Sequence, residues 1–333
     1  MERLVNFGII GCGLIGRKRA QALGSHTLIA CVDVDARRAE QLALDHAGAL
    51  AGNDPRLVLE HPEIEAVIVC TTHDALSSVA LSVIEAGKHV LVEKPAGRSA
   101  AEVRRLVDAA NRRGVIGKVG FNHRFHPSFQ RAHEIMSAGG VGDLMYIRAR
   151  YGHGGRPGYE KEWRADPRLS GGGELLDQGS HLIDLARWFA GDVVDVTGHV
   201  GTFFWPMQVE DNAFMYLKFG RGTMAWMHAS WTEWKNLFSF EIFGRTGKLQ
   251  IDGLGGSYGT ERLTYYRMLP EMGPPETTSW EFPSADASWQ VELESFAYSV
   301  ESATEPCGSL RDGLANLEVV EALYRGAGRD YHA

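Results

Sequence analysis

Three clusters of residues in this 333-residue chain have the types and spacing that chemistry needs. The first is Gly11-x-Gly13-x-x-Gly16, entered from the apolar run 5–10 and left through a helical pattern over 18–23. A second apolar run, 28–32, ends at Asp33, twenty residues after Gly13. Strand, glycine turn, helix, strand and acid, in that order, point to a dinucleotide site. Gly11 lets the chain turn tightly, Gly13 lets the backbone approach a diphosphate, and Gly16 lets the helix pack against the strand. The diphosphate would rest on the positive end of the helix. Asp33 would accept hydrogen bonds from the adenine-side ribose. Its carboxylate suits a free 2′-hydroxyl and repels a 2′-phosphate, so NAD is the expected cofactor; Arg37 and Arg38 close behind leave NADP open.

The second cluster is Gly87-Lys88-His89-Val90-Leu91-Val92-Glu93-Lys94-Pro95. An apolar strand ends at Val92, which puts Glu93 and Lys94 at its carboxyl end, where open α/β sheets bind ligands. A lysine there can hydrogen-bond a substrate hydroxyl and steady an alkoxide-like oxygen as hydride leaves carbon. Pro95 fixes the backbone and admits a cis bond that would aim the lysine. A plain solvated Lys-Pro turn fits the same residues.

The third cluster runs from Gly171-Gly172-Gly173 through Asp177 to His181. On a helix Asp177 and His181, four apart, share one face. An imidazole with an ordinary pKa of about 6.5 suits proton transfer from an alcohol. Asp177 can orient it or hold a neighbouring hydroxyl, and the glycines suggest a pocket entrance. Asp/His pairs at this spacing also bind zinc, but no third ligand with convincing spacing is nearby and no metal is expected. A structural helix pair without chemistry is the other alternative.

The elements that must position these residues change character along the chain. Up to about residue 122, strand runs (5–10, 28–32, 66–70, 89–92, 115–121) alternate with helical ones (37–46, 75–86, 100–113). That pattern implies βαβ units and a doubly wound parallel sheet. Ser99 with Glu102 three residues on reads as a capping box. Beyond Pro127 one more helix (128–138) precedes a strand (144–151), a glycine-rich loop (152–158) and a helix from about 174 to 189. Period-two strands follow at 194–204, 212–219, 223–231, 238–243 and 248–252, which reads as an antiparallel meander, and a last helix falls at about 312–327, near the domain junction.

Composition narrows the class. Hydrophobic content of 44% and charged content of 23% are those of a soluble globular protein with an ample core. A net charge of −8 argues against nucleic acid or an anionic membrane as partner. No apolar run reaches the length of a spanning helix, and no signal segment precedes the first strand. Cys12, Cys31, Cys70 and Cys307 are scattered, as in a chain of the reducing cytoplasm without disulfides. All eight tryptophans lie between Trp163 and Trp289. They fit a sugar-binding aromatic platform or, more simply, a broad sheet face buried in a core or an oligomer.

Taken together, Gly11-x-Gly13-x-x-Gly16, Gly87-Lys88-His89-Val90 with Glu93-Lys94-Pro95, and Gly172-Gly173 through Asp177-x-x-x-His181 resemble the Gfo/Idh/MocA family. Its members include glucose–fructose oxidoreductase, inositol 2-dehydrogenase and many sugar and nucleotide-sugar dehydrogenases. The likeness spans nearly the whole chain in order. It implies a Rossmann domain over residues 1–122. It also implies a substrate-binding and oligomerisation domain over 123–333, α/β with a large open, mostly antiparallel sheet. Tightly held NAD(P) and homodimers or homotetramers built on that sheet follow from it, as does a catalytic group of Lys94, Asp177 and His181. The cofactor set is then Gly11, Gly13, Leu14, Ile15, Gly16, Asp33, Arg38, Thr71, Thr72, His73, Glu93, Lys94 and Asn122. The substrate set is Lys94, Asn122, Asp177 and His181, with His153, Tyr159, Trp163 and Arg164, whose place between the strand 144–151 and the catalytic helix reads either as a pocket rim or as a solvated loop. One segment departs from the family pattern T-P-N-x-x-H: here it reads Thr71-Thr72-His73-Asp74-Ala75-Leu76. The expected activity is hydride transfer between nicotinamide and a secondary hydroxyl or ketone of a sugar, cyclitol or nucleotide sugar. The alternative is a catalytically silent NAD-binding sensor or assembly protein.

Overall fold

The structure, a computed structural model, describes residues 4–328. The chain divides into two compact units, Met1–Phe121 with Trp289–Leu317, and Asn122–Ser288 with Glu318–Ala333. The ends of both spans, 1–3 and 329–333, lie outside the described residues.

The first unit alternates strand and helix: β1 (Asn6–Ile10), α1 (Leu14–Gln21), β2 (Thr27–Val32), α2 (Ala36–Leu44), β3 (Leu50–Gly52), α3 (Arg56–Leu59), β4 (Ala66–Val69), α4 (His73–Glu85), β5 (His89–Glu93), α5 (Ala100–Arg113) and β6 (Gly117–Gly120). The six strands form one sheet in the order β3-β2-β1-β4-β5-β6, parallel throughout. The order reverses beside β1, and the carboxyl ends at that point are where such sheets bind ligands. Strands covered on both faces read as unbroken apolar runs, and all four residues of β4 are buried. β3 was not anticipated, because three residues of Leu-Ala-Gly carry no period. Ser99 caps α5, its side chain accepting from the Glu102 N–H, while the Glu102 carboxylate accepts from the Arg98 N–H at 2.8 Å.

The second unit contains α6 (Pro127–Ser137), β7 (Leu144–Gly152), α7 (Pro167–Ser170), a π-helical turn (Leu175–Gly179), α8 (Ser180–Ala190), and the strands β8 (Val193–Gly201), β9 (Asn212–Phe219), β10 (Met224–Ser230), β11 (Leu237–Gly244), β12 (Gly247–Asp252), β13 (Glu261–Arg267) and β14 (Glu276–Phe282). Its eight-stranded sheet has the order β14-β13-β12-β11-β7-β10-β9-β8. A plain antiparallel meander is therefore corrected: β7 lies between β11 and β10 and runs parallel to β10. Strand 194–204 is also shortened. It ends at Gly201 because the buried Asp211 carboxylate accepts the N–H groups of Phe203, Phe204 and Trp205 at 2.8–2.9 Å and bends the chain there. An aromatic core of Phe129, Phe189, Phe238 and Phe240 underlies the sheet.

The sequence boundary at 122/123 does not capture one return of the chain. Helix α9 (Ser288–Ser302) lays Leu293, Phe296, Ala297 and Val300 into the core formed by Phe7, Ile9, Ile68 and Leu91 of the first sheet. α10 (Leu310–Gly326) begins in the first unit and ends in the second. Trp289 accordingly belongs to the first unit, where the Arg19 guanidinium lies 4.5 Å from its ring centre. The tryptophans are thus divided among a core (Trp231), an exposed sheet face (Trp226) and the first unit, rather than gathered on one platform.

Candidate active site

In the first unit the glycine turn leaves β1 at Gly11, whose φ is +97° and where a Cβ would meet the Cys70 backbone at 2.6 Å. A Cβ on Gly16 would lie 2.0 Å from the Gly11 carbonyl oxygen, whereas one on Gly13 would meet nothing within 4 Å. Packing therefore requires the outer two glycines, and the middle one faces open space. Gly13 caps α1 without a side-chain bond, and the first turn holds no acid. Its N–H groups and positive helix end are left for an anion. Leu14 and Ile15 form the start of that helix, Leu14 being well exposed.

Asp33 is held at the mouth of the same turn. Its Oδ2 accepts from the Cys12 N–H at 2.7 Å and its Oδ1 from the Asp35 N–H at 2.9 Å. Arg38 pairs with Asp35 at 3.6 Å on the exposed start of α2. These groups fit the adenosine diphosphate half of a dinucleotide. Thr71 and Thr72 lead into α4, Thr72 as its N-cap, and His73 is its buried first residue. Leu76, which replaces the polar residue of the family pattern, is fully buried in that helix's inner face.

At the end of β5 the Lys94–Pro95 peptide is cis and Lys94 is half-buried. The Glu93 side chain does not face outward. Its Oε1 accepts from Arg19 Nε at 2.6 Å, and Arg19 also donates to Glu292 of α9 at 2.6 Å. Lys118 stands 3.3 Å from the same Glu292. Glu93 as a cofactor ligand is thus corrected at the side-chain level: its carboxylate holds α1, the helix of the glycine turn, to the strand that carries Lys94.

In the second unit Asp177 lies within the π-helical turn and His181 just inside α8. The pair therefore straddles a change of helical pitch, a feature common at functional sites. The Asp177 carboxylate accepts from Arg164 Nε at 3.2 Å, and the Arg164 guanidinium lies 4.6 Å from the centre of the Trp163 ring. Burial works against the charge of Arg164, but Asp177 outweighs it and raises its pKa. His181 is buried and stacks face to face on His123, centres 3.8 Å apart and planes 16° from parallel.

His123 was not anticipated, since a histidine in the turn Asn122–Phe125 has no period to mark it. Its Nδ1 faces Asn122 Oδ1 at 3.1 Å, and its Nε2 faces the Tyr151 hydroxyl at 3.2 Å. The Asn122 amide donates to Ser288 Oγ at 3.0 Å. Both polar ends of Asn122 are thus engaged within the protein, and its assignment as a ligand contact becomes one of support for His123. Tyr151 packs against Tyr258, which accepts from Gln178 at 3.1 Å. Burial pushes the Tyr151 hydroxyl well above its ordinary pKa and that of Tyr258 up to about 12, so both stay protonated donors.

Two expectations change. Tyr159 is not on a rim but packs with Val209 and Trp231 in a small apolar cluster. Gly172 and Gly173 do not line an entrance: they are buried, with Glu210 backbone 2.0 Å and the Tyr324 hydroxyl 2.4 Å from where their Cβ atoms would be. Glu210 accepts from the N–H groups of Gly173 and Leu175 and from the Tyr324 hydroxyl, which seats the turn before Asp177. His153 accepts from the Gly155 N–H at 2.9 Å through Nδ1, and burial lowers its pKa. Among the described residues no group of three or more His, Cys, Asp or Glu side chains is placed to hold a metal ion, and no helix is long and apolar enough to cross a membrane.

Comparison with known proteins agrees with this geometry. Residues 5–121 match the model of an oxidoreductase family with an NAD-binding Rossmann fold, and residues 129–250 match a GFO/IDH/MocA C-terminal domain. The chain is similar to scyllo-inositol 2-dehydrogenase (NAD(+)) of Bacillus subtilis (strain 168), 28% identical over 96% of this chain and 93% of that protein. It is also similar to myo-inositol 2-dehydrogenase of Thermotoga maritima, 26% identical over 94% of this chain and 93% of the other. The fold is shared with levoglucosan dehydrogenase in complex with NADH, at a TM-score of 0.88 and 21% identity over 98% and 97% of the two chains. With a Rossmann sheet, a glycine turn fitted to a diphosphate and both domain models matched, the chain belongs to the Gfo/Idh/MocA family of NAD-binding oxidoreductases.

Proposed function

We propose that this protein is an NAD-linked dehydrogenase acting on a secondary hydroxyl, or the matching ketone, of a ring polyol: a sugar, a cyclitol or a nucleotide sugar. The observation that carries this reading is the buried His181 imidazole, stacked on His123 and four residues after the Asp177 carboxylate that Arg164 holds in place. Such a ring is fixed in orientation and shielded from bulk water, which suits it to take the proton of an alcohol. The names of the two inositol dehydrogenases, matched over more than nine-tenths of their lengths, support a ring polyol. NAD, when bound, supplies the hydride acceptor or donor. His181 holds the hydroxyl proton, Lys94 donates to the oxygen as charge gathers there, and Asp177 accepts from a neighbouring hydroxyl. Asp33 selects NAD over NADP.

The test is cofactor reduction over a panel of inositols, aldoses, levoglucosan and nucleotide sugars, and cofactor oxidation with the corresponding ketones. Turnover on at least one ring polyol is expected. No turnover in either direction with NAD demonstrably bound would replace this reading with that of a silent NAD-binding protein.

We also infer a homodimer or homotetramer through the second sheet. Tyr216 opposes Trp226 and Tyr146 opposes Met224 on its open face, and all four are exposed. Light scattering on the unmodified protein and on Trp226→Glu tests this. A monomeric unmodified protein would refute it.

A further inference from the structure

We infer that His123 is a positioning residue for His181, and that it acts by offering an uncharged aromatic face to the imidazolium that His181 becomes. The inference rests on the proton-acceptor role proposed for His181.

The geometry fixes His123 on every side. The Asn122 amide nitrogen is given to Ser288, so its carbonyl oxygen is the atom turned to His123 Nδ1, and Nδ1 therefore carries the hydrogen. Nε2 then holds the lone pair and accepts from the Tyr151 hydroxyl. Both nitrogens are satisfied in the neutral ring, and a second proton on Nε2 would turn the Tyr151 donor against another donor. Arg124, next in the chain, forks onto Asp184 of α8 with bonds of 2.8 and 2.7 Å, both partners buried. That fork locks the turn bearing His123 against the helix bearing His181. The two rings are consequently held face to face by their backbones as well as by contact.

The surroundings bear on the sign of any charge effect. His126 packs edge-on to His123 at 5.6 Å and is itself bonded to Glu261 at 2.9 Å, with Asp286 at 3.9 Å on its far nitrogen. Tyr151 and Tyr258 stand on the other side as neutral hydroxyls. Asp177, four residues before His181, is paired with Arg164, and Asp184, three residues after it, is paired with Arg124. No positive side chain stacks between the two rings. A cation over the face of a neutral aromatic ring is stabilised by its quadrupole, most when both are withdrawn from water. Neutral His123 thus eases proton uptake by His181 while keeping its plane.

The test uses the apoprotein, so it does not depend on finding the substrate. His123→Phe keeps a flat π face; His123→Leu keeps similar bulk without one; both lose the same hydrogen bonds to Asn122 and Tyr151. The His181 titration is followed by nuclear magnetic resonance of labelled imidazoles, with thermal unfolding as a control. In His123→Leu the His181 midpoint should fall by about half a unit to one unit relative to His123→Phe. In the unmodified protein His123 should show the Nδ1–H form. Equal midpoints in the two variants, or a His123 protonated on both nitrogens near neutral pH, would overturn the inference. The proposed function fails separately, through full turnover of the best panel polyol by His181→Ala.

Discussion

Replacing Arg19 by Met probes the device that joins the glycine turn to the lysine strand. Arg19 is fully buried and makes two charge-assisted bonds of 2.6 Å, to Glu93 and to Glu292. Burial opposes its charge, yet the two carboxylates raise its pKa. Each such bond contributes about 1.5–3 kcal/mol, and removing one partner of a buried ion pair costs about 3–5 kcal/mol. Glu292 retains Lys118 at 3.3 Å, so the loss falls mainly on Glu93. Burial already raises the Glu93 pKa, with Arg19 working against that rise. Without the guanidinium it rises further, and each added unit costs about 1.4 kcal/mol at a pH above it.

The sign follows from the folded pKa lying above the unfolded one. Below the ordinary glutamate value both states take the proton and this charge costs nothing; the deficit grows as pH rises above that value and reaches its full size once pH has passed the folded pKa. The deficit of Arg19→Met should therefore be about 3–5 kcal/mol at pH 8 and about 1–2 kcal/mol smaller at pH 5. Because the chain has two units, native-state hydrogen exchange of β1 and β5 amides is the proper assay, rather than a single melting point. Arg19→Met with Glu93→Gln should recover about 1–2 kcal/mol at pH 8 by removing the stranded charge. A loss below about 1 kcal/mol at pH 8, or one that shrinks as pH rises, would refute the reasoning.

Asp33→Ser should weaken NAD and improve relative NADP binding, because a ribose acceptor and a repulsive charge go together; equal titration curves for the two dinucleotides in the unmodified protein would contradict this. His181→Ala should lower kcat by roughly 10²–10⁴-fold with NAD affinity little changed, and Lys94→Met should do comparable harm, both measured on the best panel substrate. Unimpaired turnover in both would remove these residues from the mechanism. His133, His153 and His228 all have pKa values lowered chiefly by burial. Their neutral forms are favoured in the fold, so the stability they support is complete above about pH 6.5 and is lost as pH falls through their folded values. Urea midpoints from pH 8 to 5 should fall on the acid side, and His133→Gln should flatten that fall; an unchanged slope would count against it.

What could be read from the residues alone was local in sequence. Gly11, Gly13, Gly16 and Asp33 announce their turn because their constraints lie within about twenty residues, and β4 announces itself by unbroken burial. Asp177 and His181 were legible as a pair, though not the π-helical turn between them, since no residue type dictates a wider pitch. What stayed hidden was assembled at long range. His123 takes its meaning from Tyr151 and His181, Glu210 from glycines more than thirty positions away, and Glu93 from Arg19 and Glu292. The parallel insertion of β7 beside β10 was equally invisible, because alternation specifies a face and not a neighbour. β14 escaped notice for a simpler reason: its polar, mostly exposed residues give almost no contrast between faces, and in β13 two adjacent buried residues, Leu263 and Thr264, break the alternation.

The return of residues 289–317 to the first sheet bears on how the chain comes off the ribosome. All six parallel strands have been made once residue 121 is joined, but Phe296 and Leu293, which close one side of their core, follow well over a hundred residues later. At roughly 5–20 residues per second, the wait to residue 317 is about 10–40 s. During that interval Arg19 and Lys118 have no Glu292 to meet, and the face bearing Phe7 and Leu23 lacks its cover. The nucleotide-binding unit, first in sequence, is thus among the last parts to be finished, and the nascent first half presents an apolar surface of the kind chaperones hold.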